Sequence, residues 1–364
     1  MAFHGSSLLS SYWNGAATYY RGLLRALHGR GWEITFFEPD AYDRQAHRDI
    51  EPPDWARVVV WQPTDEGLRH VLEASRDADV VVKASGVGVH DDALLAGTIA
   101  HAAPEALVVF WDVDAAATLG EMTGRPDHPV RRALRHLDAV MTYGGGPPVL
   151  TAYAEMGARA CHPIYNAVDP ATHFPVPPDR RFTTTLGLLA NRLPDREARI
   201  DDFFLRAAAL RPGDAFLLGG NGWHDRSLPP NVRAIGHVGT ADHNAFNASA
   251  RAVLNVARDS MAAMGWSPAT RVFEAAGAGA CLITDAWEGI EEFLAPGTEV
   301  LVARDGADVA ELLATLTPGQ AHAIGASAFA RVRRDHTYDR RARQVDTVLR
   351  ELLATRAGGV RQCA

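Results

Sequence analysis

Residues 163–189 read PIYNAVDPATHFPVPPDRRFTTTLGLL. Pro163, Pro170, Pro175, Pro177 and Pro178 crowd the first part of this stretch, and no regular element survives so many fixed φ angles and missing donors. Immediately behind them, Thr183–Leu189 is a short apolar run of strand character. The stretch therefore predicts a linker over residues 166–179, with a fresh folding unit starting near residue 180. Upstream, strand-like runs at Met1–His4, Trp32–Phe37, Arg57–Trp61, Asp79–Lys83, Ala106–Trp111 and Ala139–Tyr143 are separated by helical patterns. Downstream, a helix over Ala198–Leu210 and strands at Ala215–Gly219, Val232–Ile235, Ala252–Val256, Ala280–Thr284 and Glu299–Ala303 repeat that rhythm. Short apolar strands alternating with helices predict a parallel, doubly wound sheet. Two such halves predict an α/β chain of two Rossmann-like domains facing across a cleft, with the ligand at the carboxyl ends of the strands. The expected divisions are an N-terminal domain over 1–165 and a C-terminal domain over 180–337. A last helix over 338–356, with Val345, Val348, Leu349 and Leu352 on one face, is expected to pack back on the first domain.

Composition narrows the function. The chain has 364 residues, 47% hydrophobic, with a net charge of −8, so a broad basic surface for nucleic acid is not expected. Lys83 is the one lysine among 36 basic residues, so arginine abundance reflects coding bias and no Walker-type phosphate loop exists. Cys161, Cys281 and Cys363 lie too far apart for a metal knuckle or a C-x-x-C pair, and no metal site is expected. The first basic residue is Arg21 and no run is apolar enough to span a bilayer, so a cytoplasmic protein without an integral membrane segment is expected. The arginines of His128–His136 (Arg131, Arg132, Arg135) leave peripheral membrane contact open against a plain solvated face. Gly86-x-Gly88, Gly220-x-Gly222 and Gly277-x-Gly279 all lack the third glycine of a dinucleotide fingerprint, which disfavours hydride transfer.

Residues 267–285, SPATRVFEAAGAGACLITD, hold the most chemistry. Ser267 fits an N-cap and Pro268 a first helical position, and a helix start offers free N–H groups to a phosphate. Ser267, Arg271 and Glu274 share one face, with Glu274 about 10 Å along the axis from Ser267. Phosphate at the cap and a sugar hydroxyl on the glutamate would suit a nucleotide diphosphate. A capped helix with an Arg271–Glu274 surface pair is the competing reading.

Arg271, Phe273, Glu274 and Ala275 match the R-x-F-E-A helix of the CgeB-like spore-protein glycosyltransferases, and the segment resembles the C-terminal lobe of GT-B enzymes related to family 4 glycosyltransferases. The resemblance implies a GT-B fold and sugar transfer from a nucleotide-diphosphate sugar, UDP foremost, with no other cofactor. It implies that Glu274 holds the donor ribose and that Ser267, Thr270 and Arg271 lie near the phosphates. Arg192 and Arg196 stand where a basic pair meets the diphosphate. Gly220 and Asn221 permit close approach, and His237 is the base-side candidate. Asp285, Trp287, Glu288 and Gly289 would face the donor sugar. Trp266 stands where family 4 enzymes carry a second glutamate.

The N-terminal half then holds the acceptor, a small molecule, glycan or protein. Ser6, Ser7, Trp13, Asn14, Gly15, Lys83 and Ser85 sit in loops after strands and are the acceptor-side candidates; a strand–helix loop closed by an Asn14-Gly15 turn reads equally from the same residues. Asp112 and Asp114 form a D-x-D pair, read as cleft carboxylates rather than metal ligands, and with His90 they are the candidates for a general base. Asp91 and Asp92 compete for that role. A nucleotide-sugar epimerase and a non-catalytic spore or surface-assembly protein remain as alternatives.

Overall fold

In a computed structural model describing residues 1–12 and 14–362, with side chains through residue 357, the apolar runs become two parallel sheets. The acceptor-side candidate Trp13, and Cys363, lie outside the described residues. Contacts divide the chain into one unit of Met1–Tyr165 with Tyr338–Ala364, and a second of Asn166–Thr337. Among the described residues, the first unit carries β1 Ala2–His4, β2 Thr35–Pro39, β3 Arg57–Trp61, β4 Val80–Ala84, β5 Leu107–Asp112, β6 Ala139–Thr142 and β7 Cys161–Pro163, ordered β3-β2-β1-β4-β5-β6-β7. The second carries β8 Thr184–Leu189, β9 Phe216–Gly219, β10 Val232–Gly236, β11 Ala250–Asn255, β12 Leu282–Asp285 and β13 Leu301–Ala303, ordered β10-β9-β8-β11-β12-β13. Both orders reverse direction once, at β1/β4 and at β8/β11. These are the switch points where open parallel sheets bind ligands.

Burial explains the strands. β4 and β5 are buried at every residue, as expected of sheets covered by helices on both faces, and their sequences are continuous apolar runs rather than alternations. Leu186, Leu188, Phe204, Phe216, Leu254 and Ile283 share the core of the second unit. The short β7 was not apparent in the sequence: three half-buried residues ending in proline carry no periodicity, and only pairing with β6 defines them. The helix expected over 198–210 begins earlier, at Pro194, and contains a π-helical turn at Asp201–Leu205 before resuming as Arg206–Leu210. The basic stretch 128–136 is a five-residue helix, Pro129–Ala133, followed by one 3-10 turn, Leu134–His136. Among the described residues no helix is long and apolar enough to cross a membrane.

The proline-rich stretch is not a free linker. Residues 166–175 form a strap packed into the second unit, with Asn166, Val168 and His173 at 1%, 0% and 2% exposure. Asn166 Nδ2 donates to the Pro268 carbonyl, and Val168 bridges to Thr337. Its closeness explains the small residues near 277: a Cβ on Gly277 would lie 2.4 Å from the Val168 side chain. Prolines stiffen the strap, and its apolar and polar anchors bury it.

The loop after β1 is also locked from within. Glu38 is fully buried and its Oε2 accepts from the Leu8 and Leu9 amides and from Ser7 Oγ, while Oε1 accepts from Gln45 Nε2. Ser6 Oγ donates to Asn14 Oδ1, and Asn14 Nδ2 donates to the Ser7 and Ser10 carbonyls. Ser6, Ser7 and Asn14 are buried and hydrogen-bonded within the loop, as in the competing reading of a closed strand–helix loop; Gly15 is exposed. Glu38→Ala leaves three buried donors unpaired and is expected to lower unfolding stability by about 3 kcal/mol in urea titrations. A loss below about 1 kcal/mol would show the loop to be held by other contacts.

The terminal helix Tyr338–Gln362 belongs to the first unit and packs on the helix Ala17–His28. Ala342, Val345 and Leu349 are fully buried, and the Tyr338 ring lies where a Cβ on Gly22 would be 2.1 Å from it. Asp346 ties the helix down by accepting from Trp32 Nε1 and Arg30 Nη2, both at 2.9 Å.

Candidate functional site

The chemistry of the second unit gathers at the carboxyl ends of β8 to β12. The helix Thr270–Gly277 buries Val272, Phe273, Ala275 and Ala276 and turns Arg271 and Glu274 together at i, i+3. It starts two residues later than the sequence implied. Ala269 is its extended N-cap, and Ser267 Oγ donates to the Gly265 carbonyl, so Ser267 closes the preceding turn instead of capping the helix. Thr270 Oγ1 is taken by Asn166 Oδ1 at 3.0 Å.

Glu274 is buried at 6% exposure, with Arg271 Nη1 3.4 Å from Oε2 and His173 Nε2 3.8 Å from Oε1. Burial by itself would raise the carboxyl pKa. The Arg271 guanidinium, then the His173 and His243 imidazoles, outweigh burial and hold it below the usual carboxylate range. His243 shows the opposite balance: burial, with help from Arg271, pulls its pKa down to about 4, so the ring is neutral at pH 7. Neither histidine was singled out in the sequence. One stands in the proline-rich strap and the other starts a seven-residue helix, His243–Ser249, so no spacing links them to Glu274.

The two arginines of the 190–197 loop differ. Arg192 is engaged by carboxylates, with Nη2 2.8 Å from Glu197 and Nη1 3.0 Å from Asp225. Arg196 donates from Nη2 to the Asn191 carbonyl, while its buried Nε has no hydrogen-bond partner. Burial and the like charges of Arg271 and Arg258 lower its pKa. Arg271 Nη1 is likewise buried without a hydrogen bond. Arg196 follows β8 and Arg258 follows β11, so repelling guanidiniums flank the switch point.

The glycine loops fit close approach. Gly220 has φ 126°, and a Cβ there would lie 2.1 Å from the Ala190 carbonyl oxygen. The Asn221 amide donates to Asn191 Oδ1, zipping this loop to the one after β8. His237 is exposed just beyond β10.

Three candidates around β12 are buried. Asp285 is fully buried, accepting from the Ala257 amide and from Arg199 Nη2 at 2.7 Å. Trp287 is buried against Phe293. Gly289, at φ 86°, lies under the Trp266 indole, 2.2 Å from where its Cβ would stand. Glu288 is exposed, and its carbonyl accepts from the Trp266 amide at 2.6 Å. Trp266 itself sits at φ 43°, a backbone state a bulky residue rarely adopts, with Nε1 donating to Glu292.

In the first unit, Asp112 is fully buried and closed off. Oδ1 accepts from Ser85 Oγ, Thr118 Oγ1 and the Asp114 amide, and Oδ2 from Tyr153 OH at 2.5 Å. Burial raises its pKa although four hydrogen bonds pull it down. Asp112 is therefore a hub that orders the β5 loop, with half-buried Ser85 as one of its donors. Asp114 is half-buried and caps the helix Ala115–Met122 by accepting from the Ala117 amide. Lys83, 3% exposed, is spent on Asp91 at 2.5 Å, and Asp91 also accepts from the Val87 and Gly88 amides. His90, half-buried at φ 51°, has Nε2 3.1 Å from the Pro63 carbonyl. Asp92 is exposed.

Comparison with known proteins agrees with this architecture. Residues 196–347 match the family model described as "Glycosyl transferase-like". No curated protein sequence matches the chain. A sucrose-phosphate synthase from Thermosynechococcus elongatus superposes with a TM-score of 0.68 at 16% identity, covering 97% of this chain and 99% of that one. Anabaena HepE in complex with UDP-glucose gives 0.69 at 14% identity, with 96% and 99% covered. AviGT4, a glycosyltransferase involved in avilamycin A biosynthesis, gives 0.59 at 18% identity, with 98% of each chain covered. The fold is that of the GT-B glycosyltransferases, with two Rossmann-like domains.

Proposed function

We propose that this chain is a glycosyltransferase that moves a sugar from a nucleotide-diphosphate sugar to an acceptor, without a catalytic metal. The observation that carries the reading is the pair Arg196 and Arg271. Their like charges repel in a half-buried setting, and each keeps a buried N–H without a hydrogen bond, beside the start of the helix Thr270–Gly277. A diphosphate relieves that repulsion and takes those donors. Glu274, about 6 Å along the axis from the helix start, then meets the ribose hydroxyls. Arg192 joins only by exchanging a carboxylate for phosphate. On this reading exposed His237 serves the base and exposed Glu288 the donor sugar.

UDP is the favoured nucleotide, on the strength of the UDP-glucose complex of Anabaena HepE and the UDP-only complex of the same protein. The family matched over 196–347 spans this donor region, and the R-x-F-E-A helix supports a CgeB-like affinity within it. For the general base, burial sets Asp112 aside and leaves Asp114 and His90. A thermal-shift screen of UDP-, GDP- and dTDP-sugars tests the reading, because a ligand of the folded state raises its apparent stability. Stabilisation by UDP-sugars is expected. No stabilisation by any nucleotide would favour a non-catalytic protein, and conversion of the donor's sugar without any acceptor would favour an epimerase.

Metal independence has its own check. Both oxygens of Asp112 are occupied by protein donors, so the D-x-D pair does not present two free carboxylates to a cation. Transfer is expected to continue in EDTA. Activity lost to EDTA and restored by Mn2+ would overturn this part of the proposal.

A further inference from the structure

One ring nitrogen of His173, one of His243 and one carboxylate oxygen of Glu274 lie within 4.8 Å of one another. Each group is held by its other polar atom. His173 Nδ1 is 2.9 Å from Thr172 Oγ1, His243 Nε2 is 3.3 Å from the Val238 carbonyl, and Glu274 Oε2 faces Arg271. The atoms left over are His173 Nε2 and His243 Nδ1, both buried without a hydrogen bond, and Glu274 Oε1. The Val238 carbonyl accepts only a proton-bearing nitrogen, so it fixes His243 with hydrogen on Nε2 and a lone pair on Nδ1. A buried lone pair beside a carboxylate is a conflict of two acceptors. A single cation bound to all three atoms would remove that conflict.

We propose that His173, His243 and Glu274 bind one divalent transition-metal cation of the Zn2+ type. Two imidazoles and a carboxylate suit such an ion, and outer partners that orient each ligand are usual for it. Ligand atoms about 2.1 Å from a tetrahedral ion stand about 3.4 Å apart, so the triangle closes by small rotations of the side chains. The ion occupies Oε1 of Glu274 and thereby competes with the donor. That consequence, unlike the binding itself, rests on the proposed ribose role of Glu274.

The test uses tag-free, full-length protein stripped with EDTA and then freed of it. Zn2+ is titrated by calorimetry and Co2+ by visible absorption, both without nucleotide. One equivalent is expected, with a Co2+ d–d band, and His243→Gln and Glu274→Gln should each weaken uptake at least about tenfold. His243 is half-buried, so its glutamine variant avoids the risk of unfolding carried by the fully buried His173; thermal unfolding of each variant checks this. No uptake by the wild type, or equal uptake by His243→Gln, overturns the site. The Co2+ titration is then repeated in saturating UDP: weaker uptake is expected, and unchanged uptake keeps the site and counts against the ribose role alone.

Discussion

Glu274→Ala is expected to weaken UDP binding by roughly ten- to a hundredfold, measured by calorimetry in EDTA so that no cation interferes. A hydrogen bond to a charged group contributes about 1.5–3 kcal/mol, and each 1.4 kcal/mol is a factor of ten in affinity. Alanine is a good helix former, so the helix Thr270–Gly277 should persist. The change also leaves Arg271 without its carboxylate partner, and Glu274→Gln separates the two effects. Glutamine preserves the shape and one acceptor oxygen but removes the charge, so it should fall between alanine and wild type. An unchanged affinity in both variants, with thermal midpoints near that of the wild type, would remove the glutamate from the donor site.

Leu349→Ala is expected to lower stability by about 2–5 kcal/mol, the usual cost of a cavity at a fully buried leucine. Leu349 lies on the terminal helix Tyr338–Gln362, which packs on the helix Ala17–His28. The loss should be local. Amide exchange should accelerate across the first unit, in Ala17–His28 above all, while the strands of the second unit keep their protection. UDP affinity should hold, because every proposed donor contact lies in Asn166–Thr337. Loss of UDP binding in this variant, or equal deprotection of both units, would show that the helix supports more than the first unit.

The sequence alone determined the two parallel sheets, short β7 excepted, and the helix that carries Glu274. Fully buried parallel strands are continuous apolar runs, and amphipathic helices repeat every 3.6 residues, so both signals are local and can be read from neighbours along the chain. The R-x-F-E-A segment is local in the same sense. Tertiary structure decided which polar residues are free. Asp112 looked like an accessible carboxylate until Tyr153, Ser85 and Thr118 closed around it, and Ser7 looked like an open hydroxyl until Glu38 took it from 31 positions away. The prolines of 163–178 marked a break in regular structure, but nothing local told that Val168 and His173 would be buried against the end of the Glu274 helix. The meeting of His173, His243 and Glu274 is likewise invisible in sequence. It depends on three segments folding to one point, and the chain's local preferences carry no information about distances across a hundred residues.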